Sequence, residues 1–98
     1  MIQPQVEDLY MWNPRTLRIR YVQPDGRLNF RFIAVDKVPD NETLTVWQDG
    51  DAVVFRHYPA TYMGPAGIFV VYRTTPGYEI ALGLMLSWAM EGGRGLVQ

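Results

Sequence analysis

The side chains that carry most enzyme chemistry are scarce in this chain, which has one serine (Ser87), one histidine (His57), one lysine (Lys37) and no cysteine. A nucleophilic serine needs a base within hydrogen-bond reach and an acidic group that orients the base. Ser87 falls on a helix pattern and His57 on a strand pattern, and no acidic residue is spaced to join them. Zinc requires three or four nitrogen, sulfur or carboxylate ligands, and a lone histidine without thiolates does not supply them. Carboxylates do gather, as Asp36, Asp40 and Glu42 in one polar stretch and as Asp49 and Asp51 around a glycine. Neither group follows a calcium loop that ends in a bidentate glutamate. Gly64-Pro65-Ala66-Gly67 precedes a strand pattern, whereas a phosphate cradle opens a helix. These residues lead to the expectation of a non-enzymatic chain, with no catalytic, cofactor-binding or metal-binding residues.

The abundant chemistry is that of arginine. Of nine basic residues only Lys37 is a lysine. Guanidinium groups pair bidentately with carboxylates and phosphates and stack on rings, so the choice suits recognition better than solubility. Arg18, Arg20, Arg27, Arg31 and Arg56 share one strand parity, with Trp47 among them. An aromatic among arginines on an open sheet can hold single-stranded nucleic acid, or it can meet an acidic protein surface. The plainer reading is an ordinary solvated sheet face, because arginine stems also cover neighbouring strands.

Two further surfaces carry contact residues. The loop 58–67 places Tyr62 and Met63 among prolines and glycines, either as a contact surface or as a cap on the core. On the C-terminal helix, Ile80, Leu84 and Met90 flank the polar seam Glu79, Gly83 and Ser87. That flank meets either an N-terminal segment of the same chain or a second protein.

The elements that must position these groups follow from pattern. Thr75 as N-cap, Pro76 at N1 and Gly92-Gly93 as terminator bracket a helix over 75–92. Residues 1–15 lack a clean period and read as an arm or helical turn ending at Asn13-Pro14. From Thr16 the alternation is strict, with Leu17, Ile19 and Tyr21 on one side. Gln23-Pro24-Asp25-Gly26 turns the chain into Arg27–Val35. Pro-Asp-Gly by itself favours a three-residue loop with a glycine bulge, which would set Phe30 opposite Arg20. Uniform faces instead require Ile19 opposite Phe30 and Arg18 opposite Arg31. Burial is expected to prevail over the turn. A second hairpin, around Asp49-Gly50 as a type I′ turn, puts Leu44, Val46, Val53 and Phe55 in the core and Thr45, Trp47, Val54 and Arg56 outside. Ile68–Thr74, apolar on both faces until Arg73, reads as a central strand. The sum is an α+β fold, a meander of about five antiparallel strands in 16–74 with the C-terminal helix packed on one face. A small barrel plugged by the helix is the alternative.

A length of 98 residues, 48% hydrophobic and 19% charged, bounds the chain to one ordinary globular domain with a modest core. A net charge of −1 excludes a wholly polyanion-seeking surface but not a local basic patch. Without cysteine there are no disulfides, and the redox compartment stays open. The first residues show no signal peptide, and the uncharged stretch 80–90 falls far short of the roughly 20 residues of a membrane span. The expectation is therefore a small cytoplasmic protein-interaction or assembly module, with a homodimer through the helix flank. Such a domain would suit an accessory or inhibitory protein of a phage or mobile element. The alternative is a nucleic-acid-binding module using the arginine face.

Overall fold

The computed structural model describes residues 4–59, 67–90 and 96–97, with backbone alone for 88–90 and 96–97. Strands β1 (Gln5–Asn13), β2 (Thr16–Val22) and β3 (Leu28–Ala34) form an antiparallel sheet in that order. Strands β4 (Thr43–Asp49), β5 (Ala52–Tyr58) and β6 (Gly67–Val71) form a second antiparallel sheet in the order β6-β5-β4. Helix α1 (Tyr78–Met90) follows, and two residues of β7 (Leu96–Val97) lie parallel to β4. The class is α+β with antiparallel sheets and one C-terminal helix, but the single five-strand meander divides into two sheets. Residues 36–42 carry the chain from one to the other.

The N-terminal segment is a strand, not an arm. Two bulges, between Val6 and Asp8 and between Met11 and Asn13, break its pairing with β2. An extra residue shifts the parity of everything beyond it. Val6, Leu9 and Met11 consequently all reach the core, although no period of two connects the first with the others. Pro14-Arg15 is the turn into β2, and Asn13 Oδ1 at the end of β1 accepts from the Arg15 amide at 2.8 Å.

The β2–β3 hairpin overturns the expected register. Val22 pairs with Leu28, Arg20 with Phe30, Arg18 with Phe32 and Leu17 with Ile33. The turn's own geometry decides this. Gly26 takes a φ of 90°, its amide donates to Gln23 O at 2.8 Å, and the Gln23 amide donates to Arg27 O at 2.8 Å. Asp25 accepts from the Arg27 amide and Nε, and the first of these bonds does most to hold its carboxyl below the usual range. β3 tolerates this register because the parity of Asn29 and Arg31 also carries Ile33, with Val35 just beyond the strand, while Leu28, Phe30 and Phe32 share the other parity. The core takes Ile33 and Val35, and with them Arg31.

The β4–β5 hairpin is also displaced, with Leu44 opposite His57 and Val46 opposite Phe55. Its two-residue loop is Gly50-Asp51, and only Gly50 has a positive φ (60°), the pattern of a type II′ turn instead of I′. A displacement of two residues preserves parity, so Leu44, Val46, Val53 and Phe55 reach the core as expected. The opposite face is not open at its centre, because Thr45, Ala52 and Val54 are also buried. β6 lies at the edge of its sheet, not in the middle; its second apolar face is turned toward β1.

Both sheets and the helix share one core, in which Phe55, Phe69, Leu17 and Ile19 are among the largest fully buried side chains. Tyr21 of the first sheet meets Phe69 of the second edge-on, with ring centroids 4.9 Å apart. Helix α1 begins two residues later than its capping pattern implies. Gly77, at φ 94°, supplies the carbonyl that receives the Ile80 and Ala81 amides, while Thr75 Oγ1 accepts from the Tyr72 amide. Ala81 and Met85 are buried, Glu79, Gly83 and Ser87 are exposed, and the flank residues Ile80 and Leu84 pack half-buried against the core. Leu84→Glu is therefore expected to lower folding stability by about 1–3 kcal/mol in urea denaturation, since it places a charge against apolar neighbours.

Candidate functional site

The outer face of the β1–β2–β3 sheet gathers side chains that the expected register would have buried or dispersed. Past its first bulge, β1 turns Asp8 and Tyr10 outward, and Trp12 stands at the second. β2 contributes Arg18 and Arg20, and β3 contributes Leu28, Phe30 and Phe32. Trp12 is 55% exposed, Leu28 51%, Phe30 40% and Phe32 48%. Single exposed apolar residues are ordinary, whereas adjacent ones on a single sheet face form an apolar patch, the kind of surface that interaction sites present. Trp12 and Phe32 meet edge-to-face, with centroids 5.5 Å apart and planes at 86°.

Arg18 lies at the centre of this face. Its guanidinium carbon is 4.5 Å from the Tyr10 ring centroid, 4.9 Å from Trp12 and 4.5 Å from Phe30. Three ring faces attract the cation and hold a side chain that would otherwise sample many rotamers. Its Nε is buried without an acceptor, and no carboxylate among the described residues pairs with it. Arg20, on the same face, is bound to Asp8 at 2.8 Å.

A second constellation is buried between the sheets. Arg31 of β3 donates from Nη1 to His57 Nδ1 of β5 at 3.1 Å, and His57 Nε2 lies 3.0 Å from Glu42 Oε1. Arginine has only donors, so the imidazole accepts at Nδ1 and carries its proton on Nε2, from which it donates to Glu42. Burial holds the His57 pKa below the ordinary value of 6.5; the Arg31 charge adds to this, while the hydrogen bond to Glu42 and its charge oppose it. Arg31 also lies over the Phe69 ring at 5.1 Å. A neutral imidazole thus links a cation from one sheet to an anion just ahead of β4. Both ring nitrogens are engaged, so the arrangement ties the sheets together and presents no proton outward.

The arginines expected on one face are distributed over several places. Arg18 and Arg20 remain together, whereas Arg31 faces inward because of the one-residue register difference. Arg27 lies in the turn, paired with Asp25 at 2.8 Å. Arg56 stands on the other sheet, 5.8 Å over the Trp47 ring. Tyr62 and Met63 lie outside the described residues, as does the side chain of Met90. The face residues that the sequence pattern did not single out are Tyr10, Trp12, Leu28, Phe30 and Phe32. The Pro24-Asp25-Gly26 preference is the signal that points to the last three.

An open groove of about 480 Å³ separates β1 from β6, lined by Gln5, Val6, Glu7, Val70, Tyr72 and Thr75 among others. It shares no residue with the aromatic face or the His57 network, and Glu7 is its one carboxylate. Among the described residues no three histidines or carboxylates come together as a metal site, and no helix is long and apolar enough to cross a membrane. Comparison with family models, with curated proteins and with solved structures returns no match for this chain.

Proposed function

We propose that this chain is a non-enzymatic protein-interaction module whose binding surface is the outer face of β1–β2–β3. The observation that carries this reading is the joint exposure of Trp12, Leu28, Phe30 and Phe32 around the ring-bound Arg18. Aromatic residues and arginine are the types that dominate interface hot spots. Covering roughly 100 Å² of each ring, at about 25 cal/mol per Å², would contribute roughly 2.5 kcal/mol per residue before association costs.

Charge pairing weighs against the nucleic-acid alternative. Sites for single strands track the backbone with a row of uncompensated cations. Here Arg15, Arg20, Arg27 and Arg73 lie within 2.8 to 3.7 Å of Asp36, Asp8, Asp25 and Asp51. Such surface pairs add little stability, yet they reduce the positive field that a phosphate chain would meet. The helix flank is a weaker candidate, since Ile80 and Leu84 already contact the chain's own core.

Selection of a displayed random-peptide library on the immobilised chain tests the reading. Enriched peptides are expected to lose at least about tenfold in affinity for a Trp12→Ser/Phe32→Ser double variant, the effect of deleting hot-spot rings. Peptides that bind both proteins equally, or a selection that enriches none, would overturn it. Circular dichroism of the double variant checks that the sheet persists.

A further inference from the structure

We propose that the partner of this face presents a carboxylate set between apolar side chains, and that Arg18 receives it. The inference rests on the interaction reading above and names the chemistry of the partner.

Complementarity of charge carries it. Among the described residues, Arg15, Arg20, Arg27 and Arg73 each have a carboxylate at 2.8 to 3.7 Å, and Arg56, which has none, stands on the other sheet over Trp47. Arg18 has neither an ion pair nor a hydrogen bond among the described residues, and its contacts are the three rings. Rings satisfy a guanidinium's faces but leave its N–H groups, which lie in the guanidinium plane, without acceptors. The one carboxylate on the face, Asp8, is already committed to Arg20. A guanidinium held in place by packing loses little further freedom when it binds, and it takes a carboxylate through two parallel hydrogen bonds. Around it, Trp12, Leu28 and Phe32 offer apolar surface that only apolar side chains would reward. The partner is thus an acidic residue with apolar neighbours on a protein or peptide.

A second copy of this chain suits the face poorly. In a two-fold, face-to-face dimer the same patch meets itself, so Arg18 would approach the Arg18 of the other copy without an intervening acid. A phosphate chain brings many charges to a face with one unpaired cation.

The library-derived peptides provide the test, each synthesised as selected and with its acidic residue exchanged, Glu→Gln or Asp→Asn. The selected peptides are expected to share an acidic residue flanked by apolar ones. The neutral exchange is expected to weaken binding to the native chain about tenfold, the usual scale for a charge-assisted bidentate pair. Against Arg18→Gln the acidic and neutral forms are expected to bind alike, and Arg18→Lys should restore only part of the difference. Because the exchange is made in the peptide, binding to the native chain alone is decisive, whatever Arg18→Gln does to folding. Peptides that need Trp12 and Phe32 but carry no acid, or that ignore the neutral exchange, would overturn this inference and leave the interaction module standing. Binding that ignores Trp12 and Phe32 would overturn the module itself. An apolar-face dimer in light scattering would overturn this inference and leave the module standing, whereas tighter binding of a uridine oligonucleotide with a steep salt dependence would overturn both.

Discussion

Gly77→Ala is expected to destabilise the fold by at least about 3 kcal/mol, read as a large fall in the urea midpoint or as loss of soluble protein. Two causes act together. At φ 94° an L side chain is strained wherever it is placed, and a Cβ built on Gly77 would overlap the Leu9 carbonyl oxygen. That oxygen belongs to β1 backbone, which cannot rotate away as the end of a side chain can. The same approach is sealed by the Leu9 amide, which donates to Pro76 O at 3.2 Å. Relief would have to separate the start of α1 from β1, exposing the apolar surface packed around Leu9 and Ala81. Gly83 provides the opposite case on the same helix. It is exposed, and a Cβ there meets nothing within 4 Å. Gly83→Ala is therefore expected to stabilise by about 0.5–1 kcal/mol, through the greater helix propensity of alanine. Equal midpoints for the two variants would contradict the described junction between β1 and α1.

The second large effect concerns the chain Arg31–His57–Glu42. His57→Leu is expected to lower the unfolding free energy by about 3 kcal/mol, because it removes the imidazole acceptor from a buried guanidinium. The Phe69 ring, 5.1 Å from Arg31, moderates the loss but accepts no hydrogen bond in the place of Nδ1. His57→Gln retains one acceptor and one donor and should cost about 1 kcal/mol. The two variants separate polar bridging from simple packing, since leucine fills the volume and glutamine preserves the bonding.

Acidity should act on the same group. The folded state holds the His57 pKa below 6.5, so the unfolded chain binds the additional proton. Stability rises with pH wherever the unfolded state binds more protons, by at most about 1.4 kcal/mol per pH unit for one group. The contribution of neutral His57 is complete above pH 6.5 and is lost as pH falls from there toward its depressed folded value. Protonation would place a second donor at Nδ1 against Arg31 Nη1, which accounts for the direction in structural terms. In His57→Gln the part of the slope that begins below pH 6.5 should vanish, with only the carboxylate titration remaining at lower pH. A slope unchanged in His57→Gln would assign the acid sensitivity elsewhere.

Much of the local structure was legible in the residues. The alternation Leu17-Arg18-Ile19-Arg20-Tyr21 identifies β2 and its inner face, and both hold in the fold. The second hairpin keeps its faces even though its pairing is displaced, because a two-residue shift returns each side chain to the same side. The polar seam Glu79, Gly83 and Ser87 is indeed the exposed side of α1. The parity of His57 also indicated a core-facing group, though neither of its partners. Periodicity failed where it is weakest. Bulges concealed β1 by displacing its apolar positions, and the alternation of Leu28, Phe30 and Phe32 with Asn29 and Arg31 in β3 pointed to the wrong inner face, because the parity of Arg31 is the one that carries Ile33 into the core.

Residue types and their order were enough to set the strands from β2 to β6, the C-terminal helix, the absence of thiol chemistry, and the first hairpin's turn preference, but not β1 or the second hairpin's turn type. Pro24-Asp25-Gly26 proved decisive, since a glycine at φ 90° and short turn hydrogen bonds specify one register locally. The identity of the outer face was settled only in three dimensions. Arg31 can be buried where His57, distant in sequence and itself bonded to Glu42, is brought against it, and no pattern within β3 can report that. Once Arg31 turns inward, Leu28, Phe30 and Phe32 must turn outward beside Tyr10 and Trp12. The candidate binding face is thus the other side of a buried charge that the second sheet made tolerable.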